Sequence, residues 1–232
     1  MPQAKQIVVI TGAGISAESG LSTFRDSGGL WEGYDINEVA SIDGWRINPE
    51  KVLDFYNLRR KQALEAKPNN AHKALADLQN DFDVQIITQN VDDLHEKAGS
   101  KNVLHLHGEL NKAKSSKVDD YIVDIGSQPI ELGDKAADGS QLRPHVVWFG
   151  ELVPNLEKAA HITSKADILI VIGTSLVVYP AAGLIDYVKQ SIPKYIIDPS
   201  EPEFRDLSDW NHIKEKAASG TPKLVKKLKD KR

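Results

Sequence analysis

Between Ile87 and Leu110 the chain reads ITQNVDDLHEKAGSKNVLHLHGEL. This stretch offers the amides Gln89 and Asn90, the carboxylate Asp92 and the histidines His95, His105 and His107. Amides donate and accept, so they suit ribose hydroxyls and a carboxamide. A histidine of near-neutral pKa suits proton removal from a hydroxyl. The same histidines allow a second chemistry. His105 and His107 are two apart and face one side of a strand, and with His95 they could furnish three metal ligands, as in metal-dependent hydrolases. A plainer reading leaves His95 on a helix surface and His105 structural.

A second dense stretch follows the apolar run QIVVIT (6–11). Gly12 and Gly14 would let the backbone approach a phosphate, and the amides and dipole of the next helix would favour a pyrophosphate. The third glycine is Gly20, so the spacing is G-x-G-x5-G, not the common dinucleotide fingerprint. A tight strand-to-helix turn accounts for the same glycines without a ligand. Arg25 could neutralise phosphate, or pair with Glu18 or Asp26. Phe24 could be core, or could cover a reactive ribose carbon and keep water away.

A third feature is DFYNLRR, which places Tyr56 and Arg59 three apart on one helix face. A planar guanidinium and a phenol together make a receptor for a carboxylate. Alternatively Tyr56 packs in the core and Arg59 pairs with Asp54 or Glu65.

These residues need a frame. Five apolar runs read as buried strands: 6–11, 83–88, 145–149, 167–173 and 194–199. Amphipathic stretches lie between them. One starts with Asn48 as N-cap and Pro49 at the first helical position. Another is capped by Asn69 or Asn70. NLEKAAHITSKA, PAAGLIDYVKQ and TPKLVKKLKDK complete the set. Strands alternating with helices predict an α/β fold: a Rossmann-like parallel sheet with helices on both faces. Each strand carries polar residues at its carboxyl end, the edge where such sheets bind ligands. Two stretches break the alternation, 30–66 and 111–142, the latter with a hairpin signal in YIVDIGSQPIEL. They read as a smaller inserted lobe. The expectation is one domain over 1–232, with a Rossmann-like lobe at about 1–29, 67–110 and 143–232 and a small lobe at about 30–66 and 111–142.

The 232 residues carry a net charge of -4, with no basic excess to point to nucleic acid. The longest apolar runs fall far short of the roughly 20 residues that cross a bilayer, and the N-terminal stretch has no signal-peptide layout. With no cysteine there is no disulfide framework. A soluble cytoplasmic monomer, with neither membrane nor nucleic acid as partner, is expected.

Taken together, GAGISAESGLSTFRDSGGLW, PNNAHKAL, TQNVDDLHEKAG, LHLHGEL, RPHVVWFGE and GTSLVVYPAAGL resemble the sirtuins, the NAD-dependent protein lysine deacylases, in family order. The resemblance implies that Gly12, Ala13, Gly14 and Ser16 cradle the NAD pyrophosphate. It puts Phe24 and Arg25 in a cofactor loop, with Trp31 and Ala217 also on the cofactor side. Gln89, Asn90 and Asp92 would hold the nicotinamide ribose and carboxamide, with Asn90 also catalytic. Gly173, Thr174 and Ser175 would contact the adenosine side, and Asp198, where many members have asparagine, the adenine ribose. His107 would be the general base. Val147, Trp148, Phe149, Gly150 and Glu151 would bind acyl-lysine peptides or proteins by strand addition. In the family the acyl oxygen attacks the ribose carbon bearing nicotinamide, the histidine activates a ribose hydroxyl, and O-acyl-ADP-ribose leaves.

The chain departs from most sirtuins in lacking the four zinc cysteines. Segment 111–142 offers only Asp119, Asp120, Asp124, Glu131, Asp134 and Asp138, hard oxygens that structural zinc does not prefer. No metal is expected there, and Tyr121, Ile122, Val123 and Ile130 are expected to hold the lobe. Tyr56-x-x-Arg59 and WFGE resemble the class III members, which remove succinyl, malonyl or glutaryl groups. Two other functions stand beside the deacylase: an ADP-ribosyltransferase or NAD sensor, and the metal-dependent hydrolase.

Overall fold

The computed structural model of the protein describes residues 4–22, 30–31, 33–201 and 208–231. In chain order its strands are β1 (Gln6–Thr11), β2 (Leu30–Trp31), β3 (Tyr34–Asp35), β4 (Asp83–Thr88), β5 (Val103–His105), β6 (Gly108–Ser115), β7 (Ile122–Asp124), β8 (Leu142–Val146), β9 (Ile168–Ile172), β10 (Lys194–Ile197) and β11 (Asn211–Ile213). The α-helices are α1 (Gly14–Ala17), α2 (Ile36–Val39), α3 (Ile42–Ile47), α4 (Pro49–Glu65), α5 (Asn70–Leu78), α6 (Leu94–Lys97), α7 (Leu156–Ser164) and α8 (Ala217–Lys229).

The main sheet has six strands in the order β11–β10–β9–β1–β4–β5, and every pairing in it is parallel. Alternate residues of β1 feed opposite faces, which explains why the run QIVVIT is apolar throughout. Ile7 and Val9 join Leu75 and Leu78 of α5 and Leu224, Val225 and Leu228 of α8. Val8 and Ile10 join Ala159 of α7 and Leu184 and Ile185 across the sheet. The strand order reverses at β1, whose two neighbours are β4 and β9. That reversal opens a crevice at the carboxyl edge.

Local chemistry sets the helix starts. Asn48 accepts from the Lys51 amide at 3.0 Å, with Pro49 next to it. Asn69 caps α5 by accepting from Ala71, while its own amide donates to His72 Nδ1 at 3.3 Å. The stretch expected to be a helix after Pro180 forms a 3-10 helix, Ala181–Tyr187. Gly183, its third residue, disfavours an α-helix there.

The run 145–149 departs from expectation. It is not a strand of the parallel sheet. β8 stops at Val146 and pairs antiparallel with β6, whose other partner is β7, also antiparallel. This three-stranded sheet packs on α4 through Leu53, Ala113 and Ile130, with Trp45, Val123, Ile125 and Leu142 partly buried around them. Ile122 is exposed, so it does not help to hold the sheet. The hairpin signal is also realised differently, since β7 pairs with β6 and not with the residues that follow it. Polar contacts take up the rest. Asn57 of α4 donates to the Ile130 carbonyl at 3.0 Å and accepts from its amide at 2.9 Å. Ser115 donates to Asp138 at 2.8 Å. Among the described residues no helix is long and apolar enough to cross a membrane.

Candidate active site

The turn after β1 and the turn after β9 are locked together. Gly12 donates to the Ile172 carbonyl at 3.1 Å and Gly14 to the Gly173 carbonyl at 2.9 Å. A Cβ on Gly12 would lie 2.7 Å from the Thr174 Cβ, and one on Gly14 would lie 2.7 Å from the Gly173 Cα. Gly173 has φ of +61°, and its Cβ would meet the Ile15 nitrogen at 2.4 Å. Glycine at all three positions is therefore first a packing requirement. It brings Gly12 and Gly14 against Gly173 and Thr174 at the carboxyl edge of the sheet. Phe24 and Arg25 lie outside the described residues. Trp31 is placed by its backbone in β2, and its side chain lies outside the described residues as well.

The end of β4 supplies the amides. Asn90 Nδ2 donates to Ser16 Oγ at 3.1 Å, and Ser16 donates on to Asp92 Oδ2 at 3.1 Å. Asp92 Oδ1 accepts from the Leu94 amide at 3.1 Å. Burial raises the Asp92 carboxyl above its ordinary range, against the Leu94 and Ser16 hydrogen bonds. Gln89 Nε2 donates to Thr174 Oγ1 at 3.2 Å, which joins the β4 turn to the β9 turn. Beneath these lies a pair not singled out from sequence, Thr11 and Thr88. Thr11 donates to Thr88 Oγ1 at 2.8 Å, and Thr88 Oγ1 also accepts from the Asn90 amide at 3.1 Å. His95 Nε2 lies 3.1 Å from Thr11 Oγ1. Thr11 has spent its proton on Thr88, so His95 donates. His95 is thus buried under the crevice, not on a helix surface, and burial holds its pKa well below the ordinary value.

The other two histidines have opposite characters. His105 Nδ1 faces the Asn90 carbonyl at 2.9 Å and Nε2 faces Glu96 Oε1 at 2.9 Å. Both neighbours are acceptors, so the ring is best satisfied as a cation. Burial opposes that charge, but Glu96 and the Asn90 carbonyl outweigh it and raise the pKa above the ordinary value. His107 Nδ1 meets the Gln89 carbonyl at 3.0 Å. A carbonyl only accepts, so Nδ1 carries the proton and Nε2 the lone pair. Burial lowers the His107 pKa, against the Gln89 carbonyl. The ring is therefore a neutral base at neutral pH. The three histidines face different partners, and no group of three or more His, Cys, Asp or Glu that could hold a metal forms among the described residues.

Tyr56 and Arg59 are both buried on α4. The Tyr56 hydroxyl accepts from Trp148 Nε1 at 3.0 Å. Trp148 is itself held by Arg143, a residue that sequence reasoning passed over. The Arg143 guanidinium carbon lies 3.4 Å from the centre of the Trp148 ring. The same guanidinium grips Glu151 with two bonds, at 2.7 and 2.9 Å. Glu151 also accepts from the Trp148 amide at 2.8 Å. The amides of Val147 and Phe149 bond to the carbonyls of His107 and Ala40, both at 2.9 Å. Within 147–151, only the Gly150 amide has no partner among the described residues. Asp198, half-buried after β10, accepts from the Ser200 amide at 2.9 Å. Ala217 is buried at the start of α8, where the Ala218 amide donates to Glu18 at 2.8 Å.

Sheet order and the polar set at the carboxyl edge together fit a nucleotide-binding α/β enzyme fold. The model of the Sir2 family matches residues 12–180, and the chain belongs to that family, the sirtuins. A relative from Bacteroides thetaiotaomicron named NAD-dependent protein deacylase is 52% identical over 229 residues, covering 97% of both chains. One from Leishmania major, also named a NAD-dependent protein deacylase, is 48% identical over 194 residues, covering 80% of this chain and 79% of the relative. Among solved structures, a mutant Sir2 homologue in complex with ADP-ribose superposes with a TM-score of 0.90 at 40% identity, covering 98% of this chain and 93% of that one. A Sir2 homologue in complex with NAD gives 0.88, also at 40% identity, covering 98% and 91%.

Proposed function

We propose that the protein is an NAD-dependent protein lysine deacylase, moving an acyl group from lysine to ADP-ribose with release of nicotinamide, and that its preferred acyl group ends in a carboxylate. The carrying observation is His107: its Nδ1 donates to the Gln89 carbonyl at 3.0 Å, which leaves the lone pair on Nε2. The residues present fit the dinucleotide. Ser16, Gln89, Asn90, Asp92 and Thr174 converge on the crevice as hydroxyls, amides and a carboxylate, the groups that bind ribose and carboxamide. Gly12, Ala13, Gly14 and Ser16 would hold its pyrophosphate, Gly173, Thr174, Ser175, Asp198 and Ala217 its adenosine side. NAD, when bound, supplies a ribose carbon with a neutral leaving group.

The chain's own residues then have separable tasks. His107 Nε2 takes a proton from a ribose hydroxyl, a role whose general-base contribution is typically about 10²–10⁴-fold. His105, as a cation, fixes the Asn90 carbonyl and so the loop that carries the amides. Residues 147–151 present backbone to an acyl-lysine peptide. Tyr56 and Arg59 receive the far carboxylate of a succinyl or malonyl group.

The acidic preference is tested by Arg59→Met on matched acetyl- and succinyl-lysine peptides. A charge-assisted hydrogen bond contributes roughly 1.5–3 kcal/mol, so kcat/KM for the succinyl peptide falls about 10- to 100-fold while the acetyl value changes little. Equal losses on both peptides would remove Arg59 from acyl recognition.

A further inference from the structure

Tyr56 is caught in a one-way hydrogen bond. An indole nitrogen can only donate, whereas a phenol has one proton to give and lone pairs to receive. The 3.0 Å contact therefore runs from Trp148 to Tyr56. It uses an acceptor site on the phenol and leaves its proton unspent. That proton meets no acceptor among the described residues, although Tyr56 is 1% exposed. Burial also keeps the phenol neutral, pushing its pKa up despite the nearby charges of Arg143 and Arg59.

We propose that Trp148 is a specificity-determining positioning residue: its indole N–H holds Tyr56 as an obligate donor, so that the acyl pocket rewards a terminal carboxylate and disfavours an acyl group without one. This rests on the acidic-acyl reading of the site. The reasoning is one of supply and demand among hydrogen bonds. A buried donor with its acceptor side already filled is polarised toward the next acceptor. A ligand that offers a carboxylate satisfies it, while an acetyl group leaves it buried and unpaired. Sites built in this way discriminate strongly against the analogue that lacks the polar group. Without the indole N–H, the phenol regains a free acceptor side and can turn its proton elsewhere.

The geometry also explains why the donor stays in place. The Trp148 ring lies under the Arg143 guanidinium and 5.5 Å from the Trp45 ring. Its amide is pinned by Glu151, which Arg143 grips in turn. The segment expected to meet the substrate backbone and the floor of the acyl pocket are therefore one connected unit: Glu151 hydrogen-bonds Arg143 and the Trp148 amide, Arg143 stacks on the Trp148 ring, and that ring donates to Tyr56. The Trp148 side chain would touch no reacting atom and sets acyl specificity through Tyr56 alone.

The test is a mutant cycle on full-length protein with saturating NAD, read as the ratio of succinyl to acetyl kcat/KM. Trp148→Phe keeps a ring for Arg143 and removes the N–H. The ratio falls about tenfold, and Tyr56→Phe lowers it by a similar or larger factor. The double variant is no worse than Tyr56→Phe alone. Additive effects in the double variant, or a Trp148→Phe ratio equal to that of the wild type, would overturn the proposal. If Trp148→Phe does not fold, benzothienylalanine incorporated at position 148 removes the same N–H from a ring of the same shape, and the same ratio decides. Failure of the underlying reading looks different. In that case the wild type itself shows no succinyl preference and Arg59→Met leaves the ratio unmoved.

Discussion

Replacing Glu151 by glutamine removes one charge from a pair that the fold has taken out of water. The Arg143 side chain is 7% exposed and that of Glu151 17%, and the two bonds between them measure 2.7 and 2.9 Å. Opposite charges about 4 Å apart attract by roughly 4 kcal/mol at an effective dielectric of 20. Removing one partner of a buried pair typically costs about 3–5 kcal/mol, because the other charge stays behind uncompensated. Glutamine can still accept one guanidinium bond, and Glu151 keeps some contact with water, so the lower end applies, about 3 kcal/mol. For a domain of this size each kcal/mol lowers Tm by roughly 2–4 °C, giving a drop of about 6–12 °C. The Arg143→Met, Glu151→Leu double variant should recover most of that loss, since no charge is then left buried. Urea denaturation with matched m-values reads both numbers. The account fails if Glu151→Gln costs less than about 1 kcal/mol, or if the double variant is as unstable as the single one.

Two further outcomes follow from the histidines. His107→Ala should lose most turnover while calorimetry still shows NAD binding. In the wild type, burial lowers the His107 pKa, so the acid limb of kcat/KM should lie below about 6.5. A limb above that value, or an active variant, would contradict the base assignment. For His105 the folded pKa is raised. Its contribution to stability is thus complete below the unfolded value and disappears as pH climbs through the folded one. The stability gap between wild type and His105→Gln should be about 1.5 kcal/mol near pH 6, the low end because Glu96 is 41% exposed. It should narrow as pH rises past the folded pKa. A gap unchanged up to pH 9 would mean that the cation is not what matters.

The parts legible in the sequence were those with local signals. β1, β4, β9 and β10 are buried on both faces, so their continuous apolar runs named them. Asn48–Pro49 and Asn69 announced their helices by capping chemistry. β5 and β11 are three-residue edge strands, too short for any period, and β6 (GELNKAKS) is too polar to read as a strand. The run HVVWF was assigned to the wrong sheet because composition reports burial but not partner. The site followed the same rule. Gln89, Asn90, Asp92 and His107 are contiguous with strand ends and could be named with their chemistry. The burial of His95 was not legible, because α6 has only four residues and shows no amphipathic pattern. Thr11 and Thr88 went unnoticed because they meet across 77 residues, and Arg143 because its grip on Trp148 and Glu151 depends on a turn after β8 that the sequence does not announce. The collision that demands Gly14 comes from Gly173, a contact no local window contains.

The central claim is most directly tested by the fate of the acyl group. The protein is incubated with NAD and a succinyl-lysine peptide, and the products are identified by mass. Free lysine peptide, nicotinamide and O-succinyl-ADP-ribose in equal amounts are the predicted result. Free succinate with NAD left intact, or no loss of the acyl group when NAD is present, would contradict it.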